Sequence, residues 1–313
     1  MLTREKVEGV YALVPTPYDE HGRLDEEAFV ENVRKLVQAG VHGIATTGTV
    51  GEFNTLPFED FKRLVNLLSE EARNSSAPFV TIVGCSGVNT REVIEKTHYA
   101  MERGIDAVMN VLPFYQRLLE REIVTFWREV ANACPNIGIF IYNNPITGRV
   151  LHDAAIFKKL SDCPNILGSK EVVPDFLHWK NLVWDSPLVH LHIDVMLIPT
   201  MMWGARGCFS AVACVKPELI LKAYECAKKG MWEKAKKLQK LIDILMACHD
   251  DHSYPVTPGG SPAVYKAFVE AGGFLKCGDP GKPYLPVPEE IKKEIRHKLQ
   301  KVLTMVEKGL SEV

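Results

Sequence analysis

The sequence lacks any apolar run that approaches the ~20 residues needed to span a bilayer, and its first residues lack the apolar core of a signal peptide. It also lacks a block of like charge, because 37 lysines and arginines are balanced by 39 aspartates and glutamates. Without a basic stripe, neither nucleic acid nor an anionic membrane is expected as a partner. We therefore expect a cytoplasmic protein that acts on a small molecule.

No C-x-x-C pair occurs among the eight cysteines, which are scattered through apolar or small-residue stretches. This distribution predicts buried thiols rather than disulfides or a zinc site. The segment His249–His252 has two aspartates between its histidines, but no second group of ligands follows at a typical spacing. We interpret it as a solvated helix end and expect no metal there.

Eight short apolar runs alternate with amphipathic segments up to about residue 230. The apolar runs predict strands at Tyr11–Pro15, Gly43–Thr47, Phe79–Val83, Ala107–Val111, Gly138–Tyr142, Ile166–Ser169, Val189–Ile193 and Gly207–Val212. The amphipathic segments predict helices at Asp25–Gln38, Pro57–Arg73, Thr90–Arg103, Leu119–Ala133, His152–Leu160, Pro174–Val183, Val195–Gly204 and Pro217–Lys228. Strands that are apolar throughout are typical of a parallel sheet covered by helices, and eight strands close a barrel. Residues 1–230 are therefore predicted to form a (β/α)8 TIM barrel.

A doubly wound open sheet is the alternative fold, but it needs a glycine-rich phosphate turn after its first strand. The segment Val14-Pro15-Thr16-Pro17 is not such a turn. Beyond residue 230 the sequence predicts helices at Trp232–Cys248, Ala263–Ala271 and Pro288–Glu307, with a Gly/Pro-rich loop at 254–262. Residues 231–313 are predicted to form a helical extension that packs on the barrel.

Polar residues end three of the predicted strands, at the edge where such barrels carry their catalytic groups. Lys170 ends the sixth strand, Tyr142 ends the fifth, and the turn Thr46–Glu52 follows the second. Because strands five and six are neighbours, Tyr142 and Lys170 are expected side by side, with the turn across the barrel mouth. Partial burial favours the neutral form of a lysine amine, which is a nucleophile for a carbonyl carbon.

The turn Gly48-Thr49-Val50-Gly51 can present backbone N–H groups and a hydroxyl to a carboxylate, because glycine permits close backbone approach. An amine, a phenol and such an anion cradle are the groups needed for Schiff-base chemistry on a 2-oxo acid. Taken singly, a solvated strand-end lysine, a plain turn and a packed aromatic ring are the simpler interpretations. Their coincidence at one edge of the barrel favours an active site.

The motifs around these residues resemble one family along nearly the whole chain. They are Ala12–Tyr18, Gly48–Phe53, Pro113–Tyr115, Tyr142–Pro145, Lys170-Glu171 and Met201–Val212. With them the chain resembles the class I pyruvate lyases related to dihydrodipicolinate synthase and N-acetylneuraminate lyase. The resemblance implies a TIM barrel, an imine between lysine and pyruvate without metal or other cofactor, and a homotetramer built as a dimer of dimers.

The resemblance also implies roles for individual residues. Lys170 would form the imine, and Tyr142 would carry a proton to and from the substrate. Thr49 would hydrogen-bond Tyr142 and help to relay the proton. The backbone N–H groups of Thr49 and Val50 would bind the pyruvate carboxylate.

Two further positions match the family at the border of the site. Tyr115 matches an aromatic residue at the site's edge, which some members contribute across a subunit interface. Phe209 matches a residue whose backbone faces the substrate near the imine. These matches add both residues to the predicted substrate-binding set.

Two positions depart from the synthases. Position 50 usually carries a second hydroxyl residue, and here it is Val50. The missing donor to the carboxylate is worth roughly 1.5–3 kcal/mol, and the Thr47 hydroxyl is a candidate replacement. The synthases also carry Arg at the fifth residue after the tyrosine, whereas this chain has Thr147 there and Arg149 two residues later. A lysine-biosynthetic synthase is therefore disfavoured.

Other features resemble the hydratase-aldolases that cleave aromatic benzylidenepyruvates in the catabolism of polycyclic aromatics. They are Thr46–Thr49 followed by an apolar residue, Asn89–Ile94, Asn144, Ala271–Lys276, Pro283-Tyr284 and Val287–Glu289. Asn144 is the most informative, because an amide beside the imine can hold a water or a substrate hydroxyl, although asparagine also caps turns. That branch differs by an Asn near Gly259–Ser261, where this chain has no amide, and by a Trp in place of Tyr115.

The sequence therefore predicts a Schiff-base-forming pyruvate lyase. The favoured version is a hydratase-aldolase that converts an aromatic benzylidenepyruvate to an aromatic aldehyde and pyruvate. The alternative is an aldolase or dehydratase of 2-keto-3-deoxy sugar acids, which needs more hydroxyl-recognising groups than the sequence supplies. A non-catalytic ligand-binding barrel is the alternative from another class.

Overall fold

The computed structural model describes residues 1–250, 254–255 and 261–313. Its strands pair in sequence order and in parallel, and β1 pairs with both β2 and β8, so the sheet is a closed barrel. The strands are β1 (Gly9–Leu13), β2 (Gly43–Thr46), β3 (Val80–Val83), β4 (Ala107–Asn110), β5 (Gly138–Asn143), β6 (Ile166–Glu171), β7 (Val189–Ile193) and β8 (Gly207–Ser210). The predicted (β/α)8 barrel is confirmed.

Helices alternate with the strands and continue after the last one. They are α1 (Glu26–Ala39), α2 (Phe58–Asn74), α3 (Thr90–Glu102), α4 (Glu120–Ala133), α5 (Pro145–Gly148), α6 (Ala154–Lys159), α7 (Phe176–Asp185), α8 (Leu197–Met201), α9 (Pro217–Lys228), α10 (Trp232–Asp250), α11 (Pro262–Gly272) and α12 (Glu289–Ser311). Several begin at a side-chain cap: Asp25 accepts from the Ala28 N–H, and Asp153 accepts from the Ile156 N–H. Such caps satisfy N–H groups that a helix leaves unpaired, so these aspartates determine where the helices begin.

Several element boundaries near the barrel mouth differ from the prediction. β5 continues one residue further than predicted and β6 two, so Tyr142 and Lys170 lie inside paired strands. The predicted helix at Val195–Gly204 is reduced to α8, which follows a 3₁₀ turn at Asp194–Met196. Because strand pairing continues past the two polar residues, their directions are set by the sheet.

A β-bulge between β5 and β6 determines which way Lys170 points. β6 carries one extra residue here, because consecutive residues of β5 pair with Ile166 and Gly168. Leu167 between them packs inside the barrel, and strict alternation would then place Lys170 on the outer face. The extra residue restores the inward direction, and Lys170 pairs with Tyr142, which also points inward.

Gly168 is the residue that this bulge requires. A Cβ at this position would lie 1.5 Å from the carbonyl oxygen of Val189 on β7. The obstacle is the backbone of a paired neighbouring strand, which cannot move aside while the sheet stays intact. A side chain at position 168 would therefore displace β6 from β7 and move Lys170.

A buried polar network joins β5 and β6 on the outer face of the barrel. The Glu171 carboxylate is fully buried and accepts hydrogen bonds from Asn143 Nδ2 at 2.9 and 3.1 Å. His178 Nε2 lies 3.2 Å from the same carboxylate. Asn143 and Glu171 are register partners one residue after Tyr142 and Lys170. Their contact therefore holds the two inward-facing residues at one level.

Aromatic rings fill the barrel beside Lys170. Tyr11, Phe140 and Phe209 are fully buried, and their ring centroids lie 5.4 to 6.3 Å apart. Edge-to-face and tilted contacts of this kind add to the burial of apolar surface. The Phe209 side chain is thus a core residue of the barrel.

The C-terminal helices pack on the barrel and on each other. α10 contacts α9 and α12, and α11 contacts α12 and α10. The predicted helical extension is confirmed as a region, while its boundary at residue 231 stays a prediction. Neither these helices nor any other in the described ranges is long and apolar enough to cross a membrane.

The cysteines follow the prediction from their scattered positions. All eight are buried, and none forms a disulfide. Each lies among the described residues, and all eight pack in the main hydrophobic core. They act as small apolar side chains.

Replacing Gly168 by alanine is expected to destabilise the barrel, because the new methyl group would overlap the Val189 carbonyl oxygen. The free energy of unfolding should fall by about 3 kcal/mol or more, at the upper end for single substitutions. Urea unfolding followed by circular dichroism measures this loss. Gly148→Ala is the control, since a Cβ there would meet only ordinary contacts at 3.7 Å. Equal losses in the two variants would contradict the steric role of position 168.

Candidate active site

Lys170 and Tyr142 form the centre of the candidate site. Lys170 Nζ lies 4.0 Å from the centre of the Tyr142 ring and 5.5 Å from that of Phe209. Lys170 is 3% exposed and Tyr142 8% exposed. The two residues lie side by side, as their strand positions predict, with the amine shielded from bulk water.

The Thr49 hydroxyl reaches the Tyr142 phenol from the opposite side of the barrel mouth. Thr49 Oγ1 lies 3.5 Å from Tyr142 Oη, at the long end of hydrogen-bond distances. Burial alone would raise the pKa of the phenol, but the charge of Lys170 and hydrogen bonds with Thr49, Asn144 and Lys170 outweigh it and lower the pKa. A phenol with a lowered pKa exchanges its proton more readily near neutral pH.

The turn after β2, Thr47–Phe53 (the β2 turn), presents unused backbone donors to the cavity. The N–H groups of Thr49 and Val50 donate to none of the other described residues, and both residues border the cavity. The turn is closed by the Glu52 N–H, which donates to the Thr49 carbonyl oxygen at 3.1 Å. At Gly51 a Cβ would lie 2.5 Å from a backbone nitrogen of the same turn. This tight path leaves the two N–H groups without a partner among the described residues.

Thr47 does not replace the hydroxyl that is missing at position 50. Its hydroxyl donates to the Gly84 carbonyl oxygen at 2.9 Å, and its side chain is fully buried. Gly48 shapes the same turn through its carbonyl oxygen, which accepts from the Phe53 N–H at 3.2 Å. The hypothesis that Thr47 compensates for Val50 is therefore wrong, because the only proton of its hydroxyl is already donated.

A cavity of about 280 Å³ lies above Lys170. Much of its wall is aliphatic, formed by Ile146, Val172, Ile193, Val195, Met246 and Pro262. Among the described residues that line it, Lys170 is the only lysine or arginine. The cavity thus combines one lysine amine with a largely apolar wall.

Asn144 lies at the edge of this cavity, directly after β5. Its side-chain oxygen accepts from the N–H groups of Ile146 at 3.0 Å and Thr147 at 3.4 Å, which caps α5. The capping interpretation is thus correct for the oxygen. The amide also contributes to the lowered pKa of Tyr142. One residue therefore both shapes the backbone and borders the reactive groups.

Asp194 is a cavity residue that the sequence patterns did not single out. It directly follows β7, and its carboxylate accepts hydrogen bonds from the Ser210 hydroxyl and from the Ala211 N–H at 2.8 Å. Burial raises its pKa to about 6 in spite of these bonds. The signal was available, because Asp194 is a charged residue at the carboxyl end of an apolar strand.

Helices α10 and α11 form one side of the cavity, so the C-terminal region is part of the site. Met246, His249 and Tyr265 line it. His249 is half-buried, with its ring centroid 6.2 Å from that of Tyr265 and 5.8 Å from that of Phe268. The interpretation as a solvated helix end is therefore wrong for His249, because its ring packs against two others.

Some residues of the segments singled out in the sequence lie outside the residues that the structure describes. Asp251 and His252, and the Gly259–Gly260 positions compared with an amide of the hydratase-aldolases, lie outside the described residues. Ser261 is described and lines the cavity. Within the described ranges, no three His, Cys, Asp or Glu side chains are grouped as metal ligands.

Tyr115 and Arg149 do not reach the cavity of this chain. Tyr115 is 80% exposed. Arg149 Nε donates to the Phe114 carbonyl oxygen at 2.6 Å, and Arg149 is not among the cavity residues. The arginine therefore does not take over the carboxylate-binding role that position 147 has lost.

Similar proteins were found along nearly the whole chain. The model of the dihydrodipicolinate synthetase family matches residues 6–302. A 4-hydroxy-tetrahydrodipicolinate synthase of Methanopyrus kandleri is 30% identical over 312 residues, covering 97% of this chain and 99% of that protein. An uncharacterized DapA-like lyase of Pyrococcus horikoshii is 31% identical, covering 93% and 99%. The crystal structure of dihydrodipicolinate synthase from Aquifex aeolicus superposes with a TM-score of 0.83 at 26% identity, covering 94% and 97%.

Enzymes of this family are class I pyruvate lyases, which form a Schiff base between a lysine and pyruvate and use no metal or other cofactor. The closed barrel with a C-terminal helical region agrees with that match. Since the family model covers most of the sequence, the chain belongs to the dihydrodipicolinate synthetase family.

Proposed function

We propose that the protein is a hydratase-aldolase that converts an aromatic benzylidenepyruvate to an aromatic aldehyde and pyruvate through an imine on Lys170. The aliphatic wall above Lys170 is the main support for this substrate. A flat aromatic group gains free energy when it leaves water for such a wall. A second carboxylate would find no lysine or arginine among the described lining residues, and residues 251–253 and 256–260 contain neither type.

Lys170 supplies the electron sink. Its neutral amine attacks the carbonyl carbon of the 2-oxo acid, and loss of water with uptake of one proton gives a protonated imine. When the C–C bond breaks, the imine takes up the carbanion electrons and becomes an enamine. Protonation of the enamine and hydrolysis of the imine then release pyruvate and regenerate the amine.

Tyr142 moves the protons of the reaction. Water first adds to the unsaturated imine, which places a hydroxyl on the carbon that becomes the aldehyde. The Tyr142 phenolate takes the proton of this hydroxyl as the C–C bond breaks, and the lowered pKa increases the phenolate fraction. Thr49, 3.5 Å from the phenol oxygen, relays the proton, and the Asn144 amide holds the added hydroxyl.

The β2 turn binds the substrate carboxylate. The N–H groups of Thr49 and Val50 are its donors, supported by the absence of other partners among the described residues. Val50 adds no hydroxyl, and its side chain extends the apolar wall. The turn thus fixes the 2-oxo acid half of the substrate and leaves the other half to the aliphatic side chains.

Two other reactions of the same imine have support. Asp194 favours an aldolase or dehydratase of 2-keto-3-deoxy sugar acids, because a carboxylate in the wall can accept hydrogen bonds from sugar hydroxyls. The name of the Methanopyrus relative supports dihydrodipicolinate synthase activity. Arg149 opposes that activity, because its Nε donates to the Phe114 carbonyl oxygen and it is not among the cavity residues.

Assembly and location belong to the same proposal. We propose a cytoplasmic homotetramer, built as a dimer of dimers. Tyr115, which is 80% exposed in the single chain, would be covered at a subunit interface beside a neighbouring site. This accounts for an aromatic residue at the predicted edge of the site that the single chain leaves uncovered.

Borohydride added with pyruvate is expected to leave one reduced pyruvate on Lys170, because reduction makes the imine permanent. Peptide mass spectrometry locates the adduct. Lys170→Met should abolish it, whereas Lys276→Met, which removes an exposed lysine, should not. An unlabelled wild-type Lys170 would exclude the imine mechanism and favour a ligand-binding barrel.

Benzylidenepyruvates, 2-keto-3-deoxy sugar acids and aspartate semialdehyde with pyruvate should give clearly different rates. We expect kcat/KM to be highest for the benzylidenepyruvates, because their aromatic group is buried against the aliphatic wall. Coupled assay of released pyruvate measures the first two, and consumption of pyruvate measures the third. A preference for sugar acids or for the semialdehyde would overturn the proposed substrate and leave the imine mechanism intact.

Asn144→Val is expected to retain pyruvate trapping while slowing turnover of the full substrate about tenfold, as expected for one lost hydrogen bond. Since this change also removes the cap of α5, Asn144→Ser is the control. Serine keeps a capping oxygen but lacks the amide. Turnover should therefore fall in both variants, and full activity of the serine variant would assign Asn144 to capping alone.

A further inference from the structure

Glu52 and Lys266 form an ion pair that is buried on both sides. Lys266 Nζ lies 2.6 Å from Glu52 Oε1, and the two side chains are 1% and 0% exposed. Lys266 also donates to the Asp279 carbonyl oxygen at 2.9 Å, and Glu52 Oε2 accepts from the Gly281 N–H at 2.6 Å. Neither residue lines the cavity. The pair is thus held by protein groups and lies behind the cavity wall.

The pair joins two segments that border the cavity. Glu52 belongs to the β2 turn, and its N–H donates to the Thr49 carbonyl oxygen. Lys266 belongs to α11 and directly follows the cavity residue Tyr265. The pair therefore links the turn that carries these donors to one of the C-terminal helices.

Burial makes this contact costly to break. An exposed ion pair can exchange its partner for water at little cost, whereas a buried charge that loses its partner is left without solvation. Glu52 also has a φ of +57°, a conformation that a residue other than glycine keeps only when its surroundings hold it. The lysine on α11 is the charged group that holds this side chain.

An exposed ion pair offers a comparison. Lys276 and Glu31 also join the C-terminal segment to the barrel, with a distance of 2.7 Å, but their side chains are 63% and 42% exposed. This pair does not involve the β2 turn. Breaking it removes a contact between the same two regions without leaving a buried charge.

We propose that the Glu52–Lys266 pair positions the carboxylate-binding β2 turn, so that the N–H groups of Thr49 and Val50 face the imine on Lys170. The inference rests on the proposed function, because the ligand of these donors is the carboxylate of the 2-oxo acid. Both residues of the pair thereby control pyruvate affinity without touching the substrate.

The pyruvate concentration that gives half-maximal borohydride trapping at Lys170 measures how well the β2 turn binds the pyruvate carboxylate. Lys266→Met is expected to raise it about tenfold or more, because the turn loses the partner of its buried carboxylate. Trapping at saturating pyruvate should still reach completion. Lys266→Arg, which keeps the charge, should restore most of the affinity, and Lys276→Met should leave it unchanged.

Glu52→Gln combined with Lys266→Met tests whether the two residues act as a unit. The double variant leaves no unpaired buried charge, so its shift should be smaller than the product of the two single shifts. If the shift of the double variant equals the product of the two single shifts, the proposal is overturned. It is also overturned if the variants melt at a lower temperature while the pyruvate concentration for half-maximal trapping stays unchanged. If a single variant does not fold, the double variant is measured alone. A double variant that reaches half-maximal trapping at the wild-type pyruvate concentration would also contradict the proposal. A wild-type protein that is not trapped would overturn the proposed function as well.

Discussion

The carbonyl oxygen of Val189 leaves no space for a side chain at position 168, and the direction of Lys170 depends on that contact. Only glycine lets β6 take up an extra residue beside β7, and the extra residue reverses the alternation of the strand. Lys170 consequently points into the barrel, level with Tyr142 on β5. The position of Lys170 therefore rests on a feature of the backbone of its own strand, β6.

The inner and outer faces of β5 and β6 carry different side chains. The inner face carries the amine and the phenol, and the outer face carries a polar network around Glu171. Two buried histidines extend that network: His152 bonds to Asn143, and His190 bonds to Ser169. Burial lowers the pKa of His152 to about 4 and that of His190 to about 3. Both histidines therefore stay neutral over the physiological pH range.

Much of the site could be predicted because alternation and strand order are local properties of a sequence. Lys170 and Tyr142 end apolar runs, and consecutive strands of a barrel are neighbours, so their proximity followed without coordinates. The bulge did not follow, because a lone Gly168 is equally compatible with a plain strand. The contact of Glu52 with Lys266 joins distant segments and leaves no periodic signal. Asp194 could have been predicted by the strand-end rule, because it directly follows the last residue of β7.

Because all eight cysteines are buried, their thiols differ in reactivity between the folded and the unfolded protein. In the fold, desolvation raises the pKa of Cys134 to about 11 and that of Cys214 to about 12, so oxidants and alkylating agents meet almost no thiolate at these two residues. An unfolded chain exposes every thiol at once with ordinary acidity. Unfolding therefore turns eight buried thiols into groups that oxidants and alkylating agents can reach.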